Sequence, residues 1–159
     1  MNNQLNSDTT NQKFQNDALA PMHTTEHILN QTMVRMFGCN RSKNTHIEKK
    51  KSKCDYILTA EPTEEQVKEI EQRVNAVIQQ NLPVSEEIVS YEDAAKIVDM
   101  SKLPDSVSDQ LRLIRVGDYD VCACIGVHVS NTSEIGTFVI TTHEYLDNRW
   151  RMRFKLLPR

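Results

Sequence analysis

Two pairs of metal-capable side chains constrain this chain more than any other feature: His23 and His27 near its start, and Cys124 and His128 about a hundred residues later. Residues four apart on a helix stand on one face, one turn apart, so His23 and His27 can reach a common ion. Cys124 and His128 have the same spacing, and Gly126 between them permits a tight bend. Thiolate and imidazole form a borderline-soft donor set, and three histidines with one cysteine complete a tetrahedral zinc shell. If the four converge, the fold must bring a helix and a strand end together. A plainer reading stays open, in which a surface histidine pair and a core cysteine beside an unrelated histidine share nothing but spacing.

The surrounding pattern supports a helix and a strand in those places. From Pro21, apolar and histidine positions (His23, His27, Leu29, Val34, Phe37) recur near helical spacing, and Gly38 offers a left-handed stop. A β-hairpin is predicted over Thr45–Glu48 and Cys54–Leu58, with a lysine-rich turn between. Thr63 is a good N-cap with Gln66 as capping-box partner, opening a helix through Val67, Ile70, Val74, Val77 and Ile78 that stops before Pro83. Val84–Ser90 reads as a strand and Tyr91–Val98 as a short helix. Leu111–Val116 alternates as a strand, and Gly117-Asp118 turns it into Tyr119–Cys124. Thr137–Thr142 and Trp150–Leu156 complete the strands, with Trp150, Met152, Phe154 and Leu156 on one face of the last. Helices interspersed with antiparallel strands predict an α+β fold: an antiparallel sheet packed with helices in a two-layer sandwich. Residues 1–20, rich in Asn, Gln, Ser, Thr and Asp, cannot bury enough apolar surface to offset ordering and are expected to be a disordered polar tail. Residues 21–159 are then one domain.

Composition narrows the class. A chain of 159 residues can bury a core without disulfides. No apolar run approaches the roughly 18 residues of a membrane helix, and the first thirty residues lack a signal-peptide layout. A cytoplasmic protein is therefore expected, with its four cysteines reduced. Cys39 and Cys54 stand alone and read as small core hydrophobes. A net charge of −3 argues against a strongly basic nucleic-acid binder. Local charge is different: Lys49, Lys50, Lys51 and Lys53 crowd the hairpin turn, and Arg149, Arg151, Arg153 and Lys155 line the last strand. These are candidate phosphate contacts, against the plain reading of solvated surface.

At this point the motifs resemble a known family. His23-Thr-Thr-Glu-His27-Ile-Leu29 is similar to the HxxxH helix of the editing domain shared by alanyl- and threonyl-tRNA synthetases. Residues Leu111 to Val129 resemble its second motif, in which a strand and a Gly-Asp turn lead into Cys-Gly-Gly-Thr-His. Ser130 to Gly136 continues like the family's Thr-Gly-Glu-Ile-Gly. The similarity runs in matching order from Pro21 to the C-terminus, and the nearest kind is the free-standing alanyl-tRNA editing protein in its short form. The resemblance implies zinc held by His23, His27, Cys124 and His128, tRNA as partner, and hydrolysis of seryl-tRNA (or glycyl-tRNA) made in error on alanine tRNA. It also aligns Thr45 with a family hydroxyl that contacts the serine side chain. Ile125 and Val127 stand where the family usually has Gly and Thr; with Gly126, Ile125 belongs to the substrate-pocket motif, so substrate choice is less firmly implied than metal binding.

The chemistry suits such a site. A synthetase pocket sized for alanine rejects serine or glycine weakly, hence the use of a second hydrolytic site. Zinc can polarise a carbonyl, activate water or orient substrate, although four protein ligands usually mark a closed structural site. Glu26, beside His27, is a candidate general base or a group that orients a ligand. Two rivals remain. One is an H-x-x-E-H zinc protease, needing a carboxylate ligand such as Glu86, Glu87 or Glu92. The other is a zinc-stabilised RNA-binding or regulatory module without catalysis.

Overall fold

The computed structural model describes residues 17–98 and 110–159. The expected polar tail lies outside the described residues as far as residue 16. Asp17–Leu19 form a single 3-10 turn, and Ala20 already opens the first helix.

Helix α1 (Ala20–Phe37) starts with Pro21 in its first turn, where a missing N–H costs nothing. It ends at Gly38, whose φ of 66° is the left-handed stop and whose N–H returns to the Val34 carbonyl at 2.9 Å. Strands β1 (Asn44–His46) and β2 (Ser52–Ile57) make the hairpin around the lysine turn. Helix α2 (Glu64–Gln79) carries both halves of the capping box between Thr63 and Gln66. Strand β3 (Val84–Ser90), the short helix α3 (Tyr91–Ala95), β4 (Gln110–Val116) and β5 (Asp120–Ala123) follow. Strands β6 (Thr137–Leu146) and β7 (Arg149–Leu157) close the fold.

The α+β expectation holds, and among the described residues the antiparallel strands divide between two sheets. One has the order β1-β2-β7-β6 and the other β3-β4-β5. Alternation along β7 sends Trp150, Met152 and Phe154 into the core, each fully buried. They meet Ile28, Leu29 and Met33 of α1, Ile70, Val74 and Ile78 of α2, and Phe138 of β6 in one continuous cluster. The edge of β6 is not left open. Asn75 of α2 pairs with both the N–H and the carbonyl of Phe138 (2.8 and 2.9 Å), and Glu71 accepts from the Ile140 N–H at 3.0 Å. The second sheet has its own small core of Ala94, Leu111 and Leu113. Among the described residues, no helix is long and apolar enough to cross a membrane.

This arrangement decides where the motifs meet. Helix α1 packs beside β5, so its histidine face looks onto the loop that follows that strand.

Candidate metal centre

The ligand atoms offered by His23, His27, Cys124 and His128 all lie within 4.8 Å of one another, the one such metal-capable group among the described residues. Cys124 Sγ is 3.4 Å from His23 Nε2 and 3.4 Å from His128 Nε2. On a tetrahedral zinc with bonds of about 2.3 Å to sulfur and 2.0–2.1 Å to nitrogen, sulfur and nitrogen stand about 3.6 Å apart. The side chains therefore already have the spacing of a ligand shell, with a donor set zinc favours, and the residues fit the ion.

Local structure brings each one there. His23 and His27 project from adjacent turns of α1, their rings 5.4 Å apart and nearly perpendicular, while His23 stacks on His128 at 4.5 Å. Gly126 makes room for this, because a Cβ there would lie 1.8 Å from His23 Cε1 and 2.2 Å from its Nδ1. The chain bends at Gly126 as expected from sequence, but its φ is not among the positive values, so what demands glycine here is the close approach. The loop itself is held from behind. Arg112 of β4 donates to the carbonyls of Gly126 (2.6 Å) and Cys124 (3.2 Å) and is paired with Glu86.

Electrostatics at Cys124 and His128 match the geometry. Burial pushes the Cys124 thiol up, but hydrogen bonds to His128, His23 and His27 overcome it and bring the group down to about 3, a thiolate at neutral pH. Burial drives His128 down to about 4, against the pull of Cys124, which favours the neutral, ligating imidazole. Its Nδ1 lies 3.0 Å from the Thr24 hydroxyl, which also accepts the Val129 N–H at 3.2 Å. With Nδ1 engaged by Thr24, Nε2 is left to face the ion. His27 is almost fully buried and its Nδ1 has no hydrogen-bond partner; the Asp120 carboxylate stands 3.6 Å away. Burial disfavours a charged His27, yet Asp120 and Cys124 outweigh it and raise its value well above that of a free imidazole.

The other expected site residues fall into separate groups. Glu26 is half-buried and not among the clustered donors. It lies about 60° round the helix from His23, on the side where its charge bears on Cys54, Tyr56 and Arg41. Thr45 shares that region, its hydroxyl 2.8 Å from Ser42 Oγ and 3.8 Å from Cys54 Sγ. Asn30 Oδ1 accepts from the Tyr56 hydroxyl (2.7 Å) and the Ser42 N–H (3.1 Å), tying α1 to the hairpin. Cys54 is a fully buried core thiol, as its isolation suggested, while Cys39 is only half-buried. Ile125 projects into solvent, 68% exposed.

Of the cationic candidates, Lys49, Lys50 and Lys51 are exposed at the turn, and Lys49 lines a groove of about 320 Å³ with Ala18, Pro21 and Met22 at the start of α1. Arg151 differs: it grips the buried Asp55 carboxylate with two bonds of 2.8 and 2.9 Å. Arg153 faces Glu144 at 3.5 Å. Both arginines already have a carboxylate, which weakens their case as phosphate contacts. Glu86, Glu87 and Glu92 are not among the clustered donors, and the first two are paired with Arg112 and Arg115, so the group lacks the carboxylate ligand a zinc protease would need. Sequence reasoning did not single out Thr24, Arg41, Arg112 or Asp120; only the two-residue alternation of Asp120, Cys122 and Cys124 could have pointed to the last.

The chain is similar to known proteins over about three quarters of its length. Residues 111–152, which carry Cys124 and His128, match the model of the threonyl and alanyl tRNA synthetase second additional domain. The chain is 33% identical over 121 residues to an alanine–tRNA ligase of Fervidobacterium nodosum, covering 76% of this chain and 14% of that protein. The alanine–tRNA ligase of Ligilactobacillus salivarius gives the same figures. That of Treponema denticola is 30% identical over 119 residues, 74% of this chain and 20% of the relative. The chain thus spans between a seventh and a fifth of the length of these relatives.

Proposed function

Since the chain carries an editing domain of the type shared by alanyl- and threonyl-tRNA synthetases, we propose that residues 21–159 form a zinc-dependent unit that hydrolyses mischarged aminoacyl-tRNA. The observation that carries the reading is the convergence of His23, His27, Cys124 and His128 within 4.8 Å. A zinc ion held by these residues would supply Lewis-acid chemistry, polarising the ester carbonyl and orienting its neighbours.

The chain's own groups divide the remaining work. Glu26, a half-buried carboxylate next to His27, is the general base on this reading, taking the proton from water as it attacks the aminoacyl ester. Thr45, half-buried in the region on which the Glu26 charge bears, offers a hydroxyl group that can bond to a serine side chain. Alanine has no such group, so a site that hydrogen-bonds the substrate hydroxyl spares correctly charged tRNA. Seryl-tRNA for alanine is the preferred substrate on this reading; glycine lacks the hydroxyl as alanine does, so glycyl-tRNA is the weaker alternative. Ile125, exposed on the metal loop, offers apolar contact to the terminal nucleoside or aminoacyl group. Lys49, Lys50, Lys51 and Lys53 hold the acceptor-stem phosphates, which position a nucleic acid without reading its bases.

The test is deacylation of seryl-, glycyl- and alanyl-tRNA carrying alanine tRNA. Rapid loss of serine with alanine largely spared is the expected result. Equal rates on all three substrates would refute an editing role. Zinc bound without any hydrolysis would favour the non-catalytic RNA-binding module, to which the bulky Ile125 lends weight.

A further inference from the structure

Asp120 is fully buried, and its two oxygens already accept three hydrogen bonds. Oδ1 receives Arg41 Nη1 at 2.6 Å and Gln31 Nε2 at 3.1 Å, and Oδ2 receives Arg41 Nη2 at 3.2 Å. A carboxylate has about four acceptor positions, so one on Oδ2 is left. The group facing it at 3.6 Å is His27 Nδ1, a buried nitrogen that lacks any other partner. One spare acceptor and one spare donor thus face each other, and closing by ~0.4 Å makes the contact a hydrogen bond.

We infer that Asp120 is the positioning residue for His27, holding its Nδ1–H so that Nε2 faces the metal, and that Arg41 is the brace that fixes Asp120 for this task. The inference rests on the zinc reading above and goes further by naming what sets the orientation of one ligand. Two elements deliver the arrangement. His27 and Gln31 lie one turn apart on α1 and address the same carboxylate, while β5 carries Asp120 on the face it shares with Cys124. Arg41 comes from the segment joining α1 to β1, the same segment in which the Ser42 N–H bonds to Asn30. Metal affinity is therefore coupled to the order of that segment. A ligating histidine whose second nitrogen is held by a carboxylate is fixed in tautomer and ring orientation, and loss of such a partner weakens metal binding about 10- to 100-fold.

The experiment compares wild type, D120N and the double variant D120L/R41M. Zinc affinity is measured by competition with a chromophoric chelator, and ligand geometry by the visible spectrum of the cobalt-substituted proteins. Both variants should lose 10- to 100-fold in zinc affinity and show an altered cobalt spectrum. The double variant replaces an ion pair by apolar groups of similar size and should keep its melting temperature, which separates positioning from folding. A double variant that is fully folded and binds zinc within twofold of wild type, with an unchanged cobalt spectrum, would overturn the role of Asp120. Wild type that binds neither zinc nor cobalt would instead overturn the metal reading on which it rests.

Discussion

Replacing Gly126 by alanine should remove His23 from the metal site while leaving the fold in place. The added Cβ would sit 1.8 Å from His23 Cε1, 2.2 Å from Nδ1 and 3.1 Å from Nε2. Carbon atoms in ordinary contact are about 3.5–4.0 Å apart, so the ring must retreat by ~1.7 Å or more. Metal–ligand distances tolerate only about 0.2 Å, and a ring displaced that far no longer ligates. Structural zinc sites are worth about 10–16 kcal/mol in total. One donor of four is then roughly 2.5–4 kcal/mol, or about 60- to 700-fold in affinity. Without metal the cost is small, because His23 is only half-buried and can turn outward.

Gly38→Ala is the control. It forces a side chain into a φ of +66° with no atom within 4 Å of the new Cβ, so it should cost about 1–2 kcal/mol of stability and no zinc affinity. Chelator competition and thermal melts on the two variants separate the effects. Wild-type zinc affinity in Gly126→Ala would refute the assignment of His23 as a ligand.

Other changes have distinct signatures. Arg112→Met withdraws the donor from the Cys124 and Gly126 carbonyls and should lower stability by about 1.5–3 kcal/mol, with weaker zinc binding, read by denaturant unfolding and chelator competition. Burial alone would raise Asp55, but the Arg151 guanidinium and Asn44 hold it below the usual carboxylate range. Its folded value lies below the unfolded one of about 3.9, so the pair stabilises above that pH and the contribution is lost as pH falls through the folded value. Acid unfolding curves of Asp55→Asn should accordingly be flatter below pH ~4 than those of wild type. The Lys49/Lys50/Lys51→Ala variant should raise KM on full-length tRNA and flatten its salt dependence, with little change on a minimal aminoacyl ester. An unchanged KM and salt slope would make the turn ordinary solvated surface.

The elements were legible in the sequence where local chemistry decides them. Pro21 and Gly38 bracket α1, Thr63 with Gln66 opens α2, and the alternation of Trp150, Met152 and Phe154 marks the buried face of β7. The division into two sheets was not legible, because pairing partners depend on long-range register that no local pattern encodes. The same contrast runs through the site. His23, His27, Cys124 and His128 were visible because ligand chemistry and four-residue spacing are local properties. Thr24, Arg112 and Asp120 act across 104, 14 and 93 residues (His128 to Thr24, Gly126 to Arg112, Asp120 to His27), and ordinary polar residues carry no mark of a distant partner. Arg151 was legible only in part: its alternation with Arg153 showed a shared face but not that Asp55 of β2 lies directly opposite it.

The central claim, hydrolysis at a zinc site made by these four residues, is tested most directly by metal titration of activity. Protein stripped of metal is titrated with zinc while the rate of seryl-tRNA hydrolysis is followed. The rate should rise from near zero in proportion to added zinc and break at one ion per chain, with no rise in a Cys124→Ala variant. Full hydrolysis by the stripped protein, unaltered by zinc, would contradict it.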